Sequence, residues 1–162
     1  MFFDRDGTLI EDVAYNGNPD LVVPAPGARD ALNRLRAAGI PVAVVSNQSG
    51  VGRGMITIAQ VQAVNCRVDE LLGPFAGWFY CPHAPEDECE CRKPKPKLIF
   101  DAAASLGVSP ECCVMVGDKP SDMEAAKNAG AIGLLIDEEH TLTSISDQII
   151  ALRLRPSTTR SA

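Results

Sequence analysis

Short apolar runs alternate along the chain with longer amphipathic stretches, and this alternation limits the fold to one class. Residues 26–39 place Leu32 and Leu35 at helical spacing, and Gly39 ends the pattern just before the apolar, β-branched run 40–47. The same helix-then-strand order recurs in residues 57–73 with 77–81, 95–107 with 112–118, and 121–130 with 132–137. With residues 1–3, these runs supply about five strands. The pattern predicts a Rossmann-like three-layer α/β/α sandwich with a mainly parallel sheet.

Length, composition and charge narrow the class of protein further. A chain of 162 residues that is 46% apolar can bury one compact core, so we expect one domain over 1–155 and a fraying polar tail over 156–162. The apolar runs are too short to cross a bilayer, and the N-terminus lacks a signal-peptide pattern, so we expect a cytoplasmic protein. The net charge of −6 argues against a nucleic-acid partner, and we expect a monomer.

The first predicted strand is unusually short. Only Met1, Phe2 and Phe3 precede Asp4, whereas a central strand commonly has about five or six residues. Two explanations stay open: the natural start lies upstream, or this strand is short and costs stability. Under either explanation, Asp4 directly follows the strand.

Polar residues cluster after three of the predicted strands and after a loop that is rich in cysteine. The segments are DRDGT at 4–8, SNQSG at 46–50, RKPKP at 92–96 and GDKPSD at 117–122. The carboxyl ends of parallel strands meet at one edge of a sheet, where open α/β sheets bind their ligands. The four segments therefore predict one site, assembled at that edge.

The side chains of these segments suit phosphoryl transfer, in which charge on the phosphate oxygens must be neutralised. Asp4 and Asp6 are two residues apart on the same side of an extended chain, so one can act as nucleophile and the other as general acid and base. Asp4, Asp118 and one main-chain carbonyl suffice to hold Mg²⁺, which prefers oxygen ligands. Ser46 and Lys93 offer a hydroxyl and a cation for the nonreacting oxygens.

A cysteine-rich segment, CPHAPEDECECRKPKP, occupies residues 81–96. Three thiols and one imidazole form a closed set for tetrahedral structural Zn²⁺, and the four residues are Cys81, His83, Cys89 and Cys91. Disulfides are one alternative, but they need an oxidising compartment and leave the histidine unexplained. A plain polar loop is another, and it leaves both the Cys-x-His and the Cys-x-Cys spacing to chance. The zinc interpretation predicts that the metal fixes the loop that presents Arg92 and Lys93.

The four polar segments, in this order across residues 4–122, resemble the motifs of the haloacid dehalogenase (HAD) superfamily of aspartate-nucleophile phosphatases. The resemblance implies that Asp4 forms an aspartyl-phosphate and that Asp6 protonates the leaving alcohol and then activates water. It also implies that the main-chain carbonyl of Asp6 joins Asp4 and Asp118 on magnesium, while Ser46 and Lys93 stabilise the transferring group. Asp6 is typical of the phosphoryl-transfer members, so a dehalogenase is not expected. A minimal cap, or none, is expected.

The cysteine loop followed by Cys-Arg-Lys-Pro is similar to that of phosphatases acting on D-glycero-D-manno-heptose 1,7-bisphosphate or on histidinol phosphate. The segments NQSGVGRG and GDKPSDM, with Asp12 and Tyr15, look like the heptose branch, whereas the five residues between His83 and Cys89 look like the histidinol branch. The 7-phosphate of the heptose is the favoured substrate, and histidinol phosphate is the alternative. No dehydratase domain follows residue 162, so a bifunctional enzyme is not expected. A noncatalytic zinc-binding scaffold is the rival from another class.

Without a large cap the site stays open, so short loops must contact the substrate. The predicted substrate-binding residues are Asp12, Tyr15, Asn47, Gln48, Arg53, Arg92 and Lys119. The arginines suit bidentate phosphate contacts and, with the lysine, are predicted to recognise a second phosphate or the sugar. Asp122 is predicted either to favour a helix start through its charge or to orient Lys93. The remaining cysteines are expected to be inert, with Cys112 and Cys113 at the start of a core strand.

Overall fold

The computed structural model describes residues 1–153, and its centre is a sheet of five parallel strands in the order β3-β2-β1-β4-β5. The strands are β1 Phe2–Phe3, β2 Ala43–Asn47, β3 Trp78–Cys81, β4 Val114–Gly117 and β5 Ile132–Leu135. The chain builds the sheet outward from β1 on one side with β2 and β3, and then on the other side with β4 and β5. This confirms the predicted parallel α/β fold. The predicted tail, 156–162, lies outside the described residues.

In the part of the chain that the structure describes, five α-helices cover both faces of the sheet, and they are α1 Ala28–Ala37, α2 Ile58–Leu72, α3 Lys97–Ser105, α4 Pro120–Ala129 and α5 Leu142–Arg153. Successive strand residues point to opposite faces, so Phe3 and Val44 pack with α1, α2 and α5, whereas Phe2 and Val45 pack with α3 and α4. The result is the predicted three-layer sandwich, with an apolar core on each side of the sheet. None of the helices within 1–153 is long and apolar enough to cross a membrane.

The ends of the elements follow the local sequence, with one exception. Thr57 and Gln60 form a capping box at the start of α2, and Gly130 ends α4 in the left-handed region at φ 77°. The prediction that Cys112 begins a core strand is wrong. Cys112 is exposed at the end of a 3-10 turn, Pro110–Cys112, and β4 begins only at Val114. Proline favours the first position of such a turn, so Pro110 delays the start of the strand.

Strand β1 is as short as the sequence predicts, but its hydrogen bonding extends beyond its two residues. The Ala43 amide donates to the Met1 carbonyl at 3.0 Å, and the Asp4 amide donates to the Val116 carbonyl at 2.9 Å. Both phenylalanines of β1 are buried. Asp4 is therefore anchored between two neighbouring strands, at the point where the strand order reverses and open α/β sheets place their sites.

Candidate active site

Lys93 lies buried between two carboxylates at the carboxyl ends of the strands. Its Nζ is 3.0 Å from Asp4 Oδ1 and 2.6 Å from Asp122 Oδ1, and it donates a 2.8 Å hydrogen bond to the Val45 carbonyl. The lysine side chain is 2% exposed, so protein groups rather than water neutralise its charge. The structure thus brings a cation against the side chain that the sequence predicts as the nucleophile.

Asp122 makes two contacts from the first turn of α4. One oxygen accepts a 3.2 Å hydrogen bond from the Lys119 amide, which caps the helix. The other forms the ion pair with Lys93, although the direction of approach is poor for a hydrogen bond. Burial raises the pKa of Asp122 and the charge of Asp4 adds to the rise, while Lys93 opposes it. Asp122 therefore makes both of the contacts that its two predicted roles require: one at the start of α4 and one with Lys93.

Asp118 lies close to Asp4, so the two predicted acidic magnesium ligands come together. One carboxylate oxygen of each lies within 4.8 Å of the other. Gly7 makes room for Asp118, since its φ is +79° and a Cβ there would lie 2.5 Å from Asp118 Oδ2. Burial raises the pKa of Asp118, and the charge of Asp4 raises it further. A divalent cation would offset that repulsion, so these oxygen donors fit Mg²⁺. The main-chain carbonyl of Asp6 stays a predicted third ligand.

Two neighbours hold the Asp6 carboxylate. Oδ1 accepts from Arg5 Nε at 3.1 Å, and Oδ2 accepts from Arg5 Nη2 at 3.0 Å and from Gln48 Nε2 at 2.8 Å. Gln48 Nε2 also donates to Ser46 Oγ at 2.8 Å. The sequence prediction missed Arg5, although an arginine between two acids, directly after an apolar strand, was a visible signal. Arg5 and Gln48 thus link the predicted acid–base residue to the predicted phosphate-binding serine.

A cavity of about 280 Å³ opens beside this network. Five of the seven predicted substrate-binding residues line it, and these are Asp12, Tyr15, Asn47, Gln48 and Lys119. The other two are Arg53 and Arg92. Arg53 Nη2 lies 3.7 Å from Glu86 Oε1 in the cysteine-rich segment. Arg92, which belongs to that segment, donates a 3.4 Å hydrogen bond from Nη1 to the His83 carbonyl. The structure therefore assembles most of the set around one cavity and turns the two arginines towards the cysteine loop.

Asn47 ties the end of β2 to Lys93. Its Nδ2 donates to the Lys93 carbonyl at 3.1 Å, and its Oδ1 accepts from the Lys93 amide at 3.0 Å. These two bonds fix the backbone of the lysine against a central strand. Asn47 also lines the cavity, so its predicted contact with substrate stays open.

Lys119 is, with Arg5, a positively charged residue that lines the cavity. Its Nζ lies 3.8 Å from Asp12 Oδ2. Partial burial works against the charged form, but the carboxylates of Asp118 and Asp4, followed by Asp12 and Asp6, raise the pKa of Lys119 overall. The ammonium group is therefore held in its charged form beside the cavity, where it can attract an anion.

The four predicted zinc ligands converge on one point. Cys81 Sγ lies 3.0 Å from Cys91 Sγ and 3.5 Å from Cys89 Sγ, while His83 Nδ1 lies 3.2 Å from Cys91 Sγ and 3.5 Å from Cys81 Sγ. In a tetrahedron with metal–sulfur bonds of about 2.3 Å, neighbouring sulfurs are about 3.8 Å apart. The sulfur–sulfur distances, 3.0 to 3.7 Å, are too long for disulfides and somewhat shorter than in such a tetrahedron. The three cysteines and the histidine therefore fit Zn²⁺ after small outward shifts of the sulfurs.

Burial and hydrogen bonds shift the pKa values of Cys81 and Cys89 in opposite directions. Burial raises the pKa of Cys81. For Cys89, burial also works against the thiolate, but the Arg92 amide and the other two thiols lower its pKa to about 7. A thiolate is the form that binds metal, so Cys89 is the cysteine closest to its ligating state at neutral pH.

The cysteine loop is also bonded to the end of β2. The Gln48 amide donates to the Cys81 carbonyl, and the Gly52 amide donates to the Pro82 carbonyl, each at 2.7 Å. A Cβ on Gly52 would collide with the Ala84 backbone, so only glycine allows this approach. The loop is thus attached to the residues that follow β2, the strand that carries Ser46.

Comparison with known sequences gives a consistent set of relatives. A profile of the haloacid dehalogenase-like hydrolases matches residues 11–130. The D-glycero-beta-D-manno-heptose-1,7-bisphosphate 7-phosphatase of Pseudomonas putida is 38% identical over 141 residues, which is 84% of this chain and 81% of that protein. The Helicobacter pylori protein of the same name is 35% identical over 134 residues, or 80% of this chain and 78% of the relative.

Comparison with solved structures gives the same group. The D,D-heptose 1,7-bisphosphate phosphatase of B. bronchiseptica, solved with magnesium and phosphate, superposes with a TM-score of 0.83 at 29% sequence identity. The match covers 94% of this chain and 98% of that one. The similarity therefore extends over the sheet, the helices and the loops that form the site.

Proposed function

The chain belongs to the haloacid dehalogenase-like hydrolase family and hydrolyses phosphoric monoesters, and we propose that its substrate is the 7-phosphate of D-glycero-D-manno-heptose 1,7-bisphosphate. The observation that supports this best is the convergence of Asp4, Asp118 and Lys93 beside a cavity that carries a second cation, Lys119. The reacting phosphate would bind at Asp4, Asp118 and Lys93, and the other phosphate would lie near Lys119. Relatives that carry this activity in their names align over most of the chain.

We assign the covalent step to Asp4. Its carboxylate attacks phosphorus, the bond between phosphorus and the sugar oxygen breaks, and an aspartyl-phosphate forms. Lys93, already 3.0 Å from Asp4 Oδ1, offsets charge on the nonreacting oxygens, and Ser46 donates its hydroxyl to one of them. Asp4, Asp118 and the main-chain carbonyl of Asp6 would hold Mg²⁺, which when bound neutralises phosphate charge and orients the group.

We assign both proton transfers to Asp6. In its protonated form it gives a proton to the departing sugar oxygen. The resulting carboxylate then takes a proton from a water molecule, which attacks the phosphorus of the aspartyl-phosphate. Inorganic phosphate leaves and Asp4 is restored, so the cycle ends with the residues as they began.

We further propose that Cys81, His83, Cys89 and Cys91 hold a structural Zn²⁺. The four side chains would complete a tetrahedron and leave no position for substrate or water. The role of the ion is then to fix the loop that continues into Lys93. Arg92, which contacts the His83 carbonyl, would be held by the same loop.

The proposal is tested by phosphate release from the purified protein with Mg²⁺ and with a chelator. We expect turnover of heptose 1,7-bisphosphate at a kcat/KM at least about tenfold above that for histidinol phosphate, since the second substrate has no further phosphate to bind. Both anomers should be compared, because the relatives named above act on the β form. A preference for histidinol phosphate would overturn the substrate assignment. No magnesium-dependent release from any phosphate ester, including p-nitrophenyl phosphate, would instead favour a noncatalytic scaffold.

Lys119 is expected to discriminate between substrates with one and two phosphates. In Lys119→Met, kcat/KM for heptose 1,7-bisphosphate should fall about 10- to 100-fold, the value of one or two charge-assisted hydrogen bonds, while p-nitrophenyl phosphate should change less than about threefold. Lys97→Met is the matched control, because Lys97 is exposed on α3 and paired with Asp101. An equal loss on both substrates would mean that Lys119 serves the reacting phosphate instead.

A further inference from the structure

We propose that Asn65, on helix α2, is a positioning residue for Asp6 and that it acts through Arg5. The inference rests on the proposed function, because it requires Asp6 to transfer protons. It concerns a residue outside the four polar segments and 60 positions from Arg5 in the chain. The link is a single short hydrogen bond, from Arg5 Nη1 to Asn65 Oδ1 at 2.6 Å.

All three nitrogens of the buried Arg5 guanidinium donate hydrogen bonds. Its side chain is 2% exposed, and its guanidinium contacts three different residues. Nε and Nη2 donate to Asp6, Nη2 also donates to Gln48 Oε1 at 2.8 Å, and Nη1 donates to Asn65. A buried guanidinium is costly unless its donors are satisfied, and this one is held at two opposite edges of its plane.

The two sides have different partners. Asp6 is held by Nε and Nη2, while Asn65 holds Nη1, on the opposite edge of the same planar group. Because the guanidinium is rigid, the bond to Asn65 fixes the direction in which the other two donors point. Without it, Arg5 can rotate and carry the Asp6 carboxylate with it. A displacement of about 1 Å in a reacting group can cost up to about a hundredfold in rate.

Arg5, fixed by Asn65, also orients Ser46 through hydrogen bonds with Gln48. Arg5 can only donate, so its bond to Gln48 Oε1 fixes which end of that amide faces it. The Nε2 end must then face Asp6 and Ser46 Oγ, each at 2.8 Å. Since Ser46 Oγ accepts this bond, its own hydroxyl proton is free to be given to a phosphate oxygen. Two groups of the proposed mechanism are thus oriented by one buried network.

Asn65 itself does not line the cavity that would hold the substrate. It is 8% exposed, and it borders a separate depression together with Trp78 and Tyr80, whereas Arg5 and Gln48 line the 280 Å³ cavity. A substitution at Asn65 therefore changes the anchor without removing a group that faces the substrate. This makes it the cleanest position at which to test the network.

The test compares two substrates that differ in their need for a proton. The sugar oxygen of heptose 1,7-bisphosphate must be protonated as it leaves, whereas p-nitrophenolate leaves readily without a proton. The quantity measured is kcat/KM, which reports steps up to the formation of the aspartyl-phosphate. In Asn65→Leu we expect kcat/KM for the sugar phosphate to fall about tenfold or more, and that for p-nitrophenyl phosphate to fall less than about threefold. Asn65→Asp keeps the acceptor oxygen and should restore the wild-type ratio of the two.

Controls separate positioning from loss of stability. Ser146→Ala removes the hydrogen bond of another buried side chain, on α5, and should leave the ratio of the two substrates unchanged. If Asn65→Leu does not fold, judged by its melting curve, Asn65→Ala removes the same acceptor oxygen with a smaller side chain and should shift the ratio in the same direction. Equal losses on both substrates, or none, would overturn the inference. An inactive wild type would instead overturn the proposed function.

Discussion

Replacing Asp4 by asparagine is expected to lower phosphate release by at least about a thousandfold, because an amide cannot form the aspartyl-phosphate. The fold should survive. Asparagine has nearly the same shape, and Lys93 would keep its contacts with Asp122 and the Val45 carbonyl. A second readout is the acid-quenched protein, in which mass spectrometry should find the mass of one added phosphoryl group in the wild type and not in Asp4→Asn.

The matched control is Asp30→Asn, which removes an equal charge from an exposed ion pair with Arg34 on α1. Its turnover should equal that of the wild type. Appreciable turnover by Asp4→Asn would be incompatible with Asp4 as the nucleophile. Lost turnover together with a collapsed melting transition would point to the buried pair with Lys93 as a structural element, and Asp4→Glu, which keeps the charge but moves the carboxylate, would then decide between the two roles.

The fold was predictable because its signals are local and repeated. Each short apolar run is followed by polar residues and then by a helical pattern, and this order permits few arrangements other than a parallel sheet covered on both faces. Boundaries were less predictable. The Cys112–Cys113 pair was expected to begin a strand because of its apolar character, but Pro110 commits the preceding residues to a turn.

Most of the candidate site was predictable for a topological reason. Asp4 and Asp118 each follow a strand and Ser46 lies near the end of one, and parallel strands bring their carboxyl ends to one edge whatever their separation in sequence. Lys93 follows no strand directly, and it reaches Asp4 because the cysteine loop and Asn47 carry it there. Its position was predicted from the order of the motifs rather than from periodicity.

Side-chain pairing was the part that the sequence did not reveal. Arg5 contacts Asn65 from 60 positions away, and Gln48 turns inward to Asp6, although both its position and its chemistry suited a substrate contact. Arg53 suited a phosphate contact equally well and instead lies near Glu86. Charged and amide side chains are long and can reach several partners, so the choice depends on distances that sequence spacing does not fix.

Removal of one zinc ligand is expected to lower both the metal content and the stability of the protein. Cys89→Ser should lose the metal, whose stoichiometry in the wild type should be about one per chain, and should lower the melting temperature by about 10 °C, which corresponds to a few kcal/mol for a domain of this size. Turnover should fall as well. The cysteine loop is bonded to the end of β2 at Gln48, and it continues directly into Lys93, so a loose loop would leave the cation of the site poorly placed.

Cys112→Ser is the control, because Cys112 is exposed in a turn away from the cluster and its loss should change neither zinc content nor stability. The two readouts distinguish the possible roles of the loop. Zinc loss with a lower melting temperature but unchanged turnover would mean that Asn47 alone suffices to hold Lys93. A wild type that contains no zinc and is fully active would refute the metal assignment. Zinc loss accompanied by a fall in both melting temperature and kcat would mean that the metal, through Cys81 and Cys91, supports the wall of the site that carries Lys93.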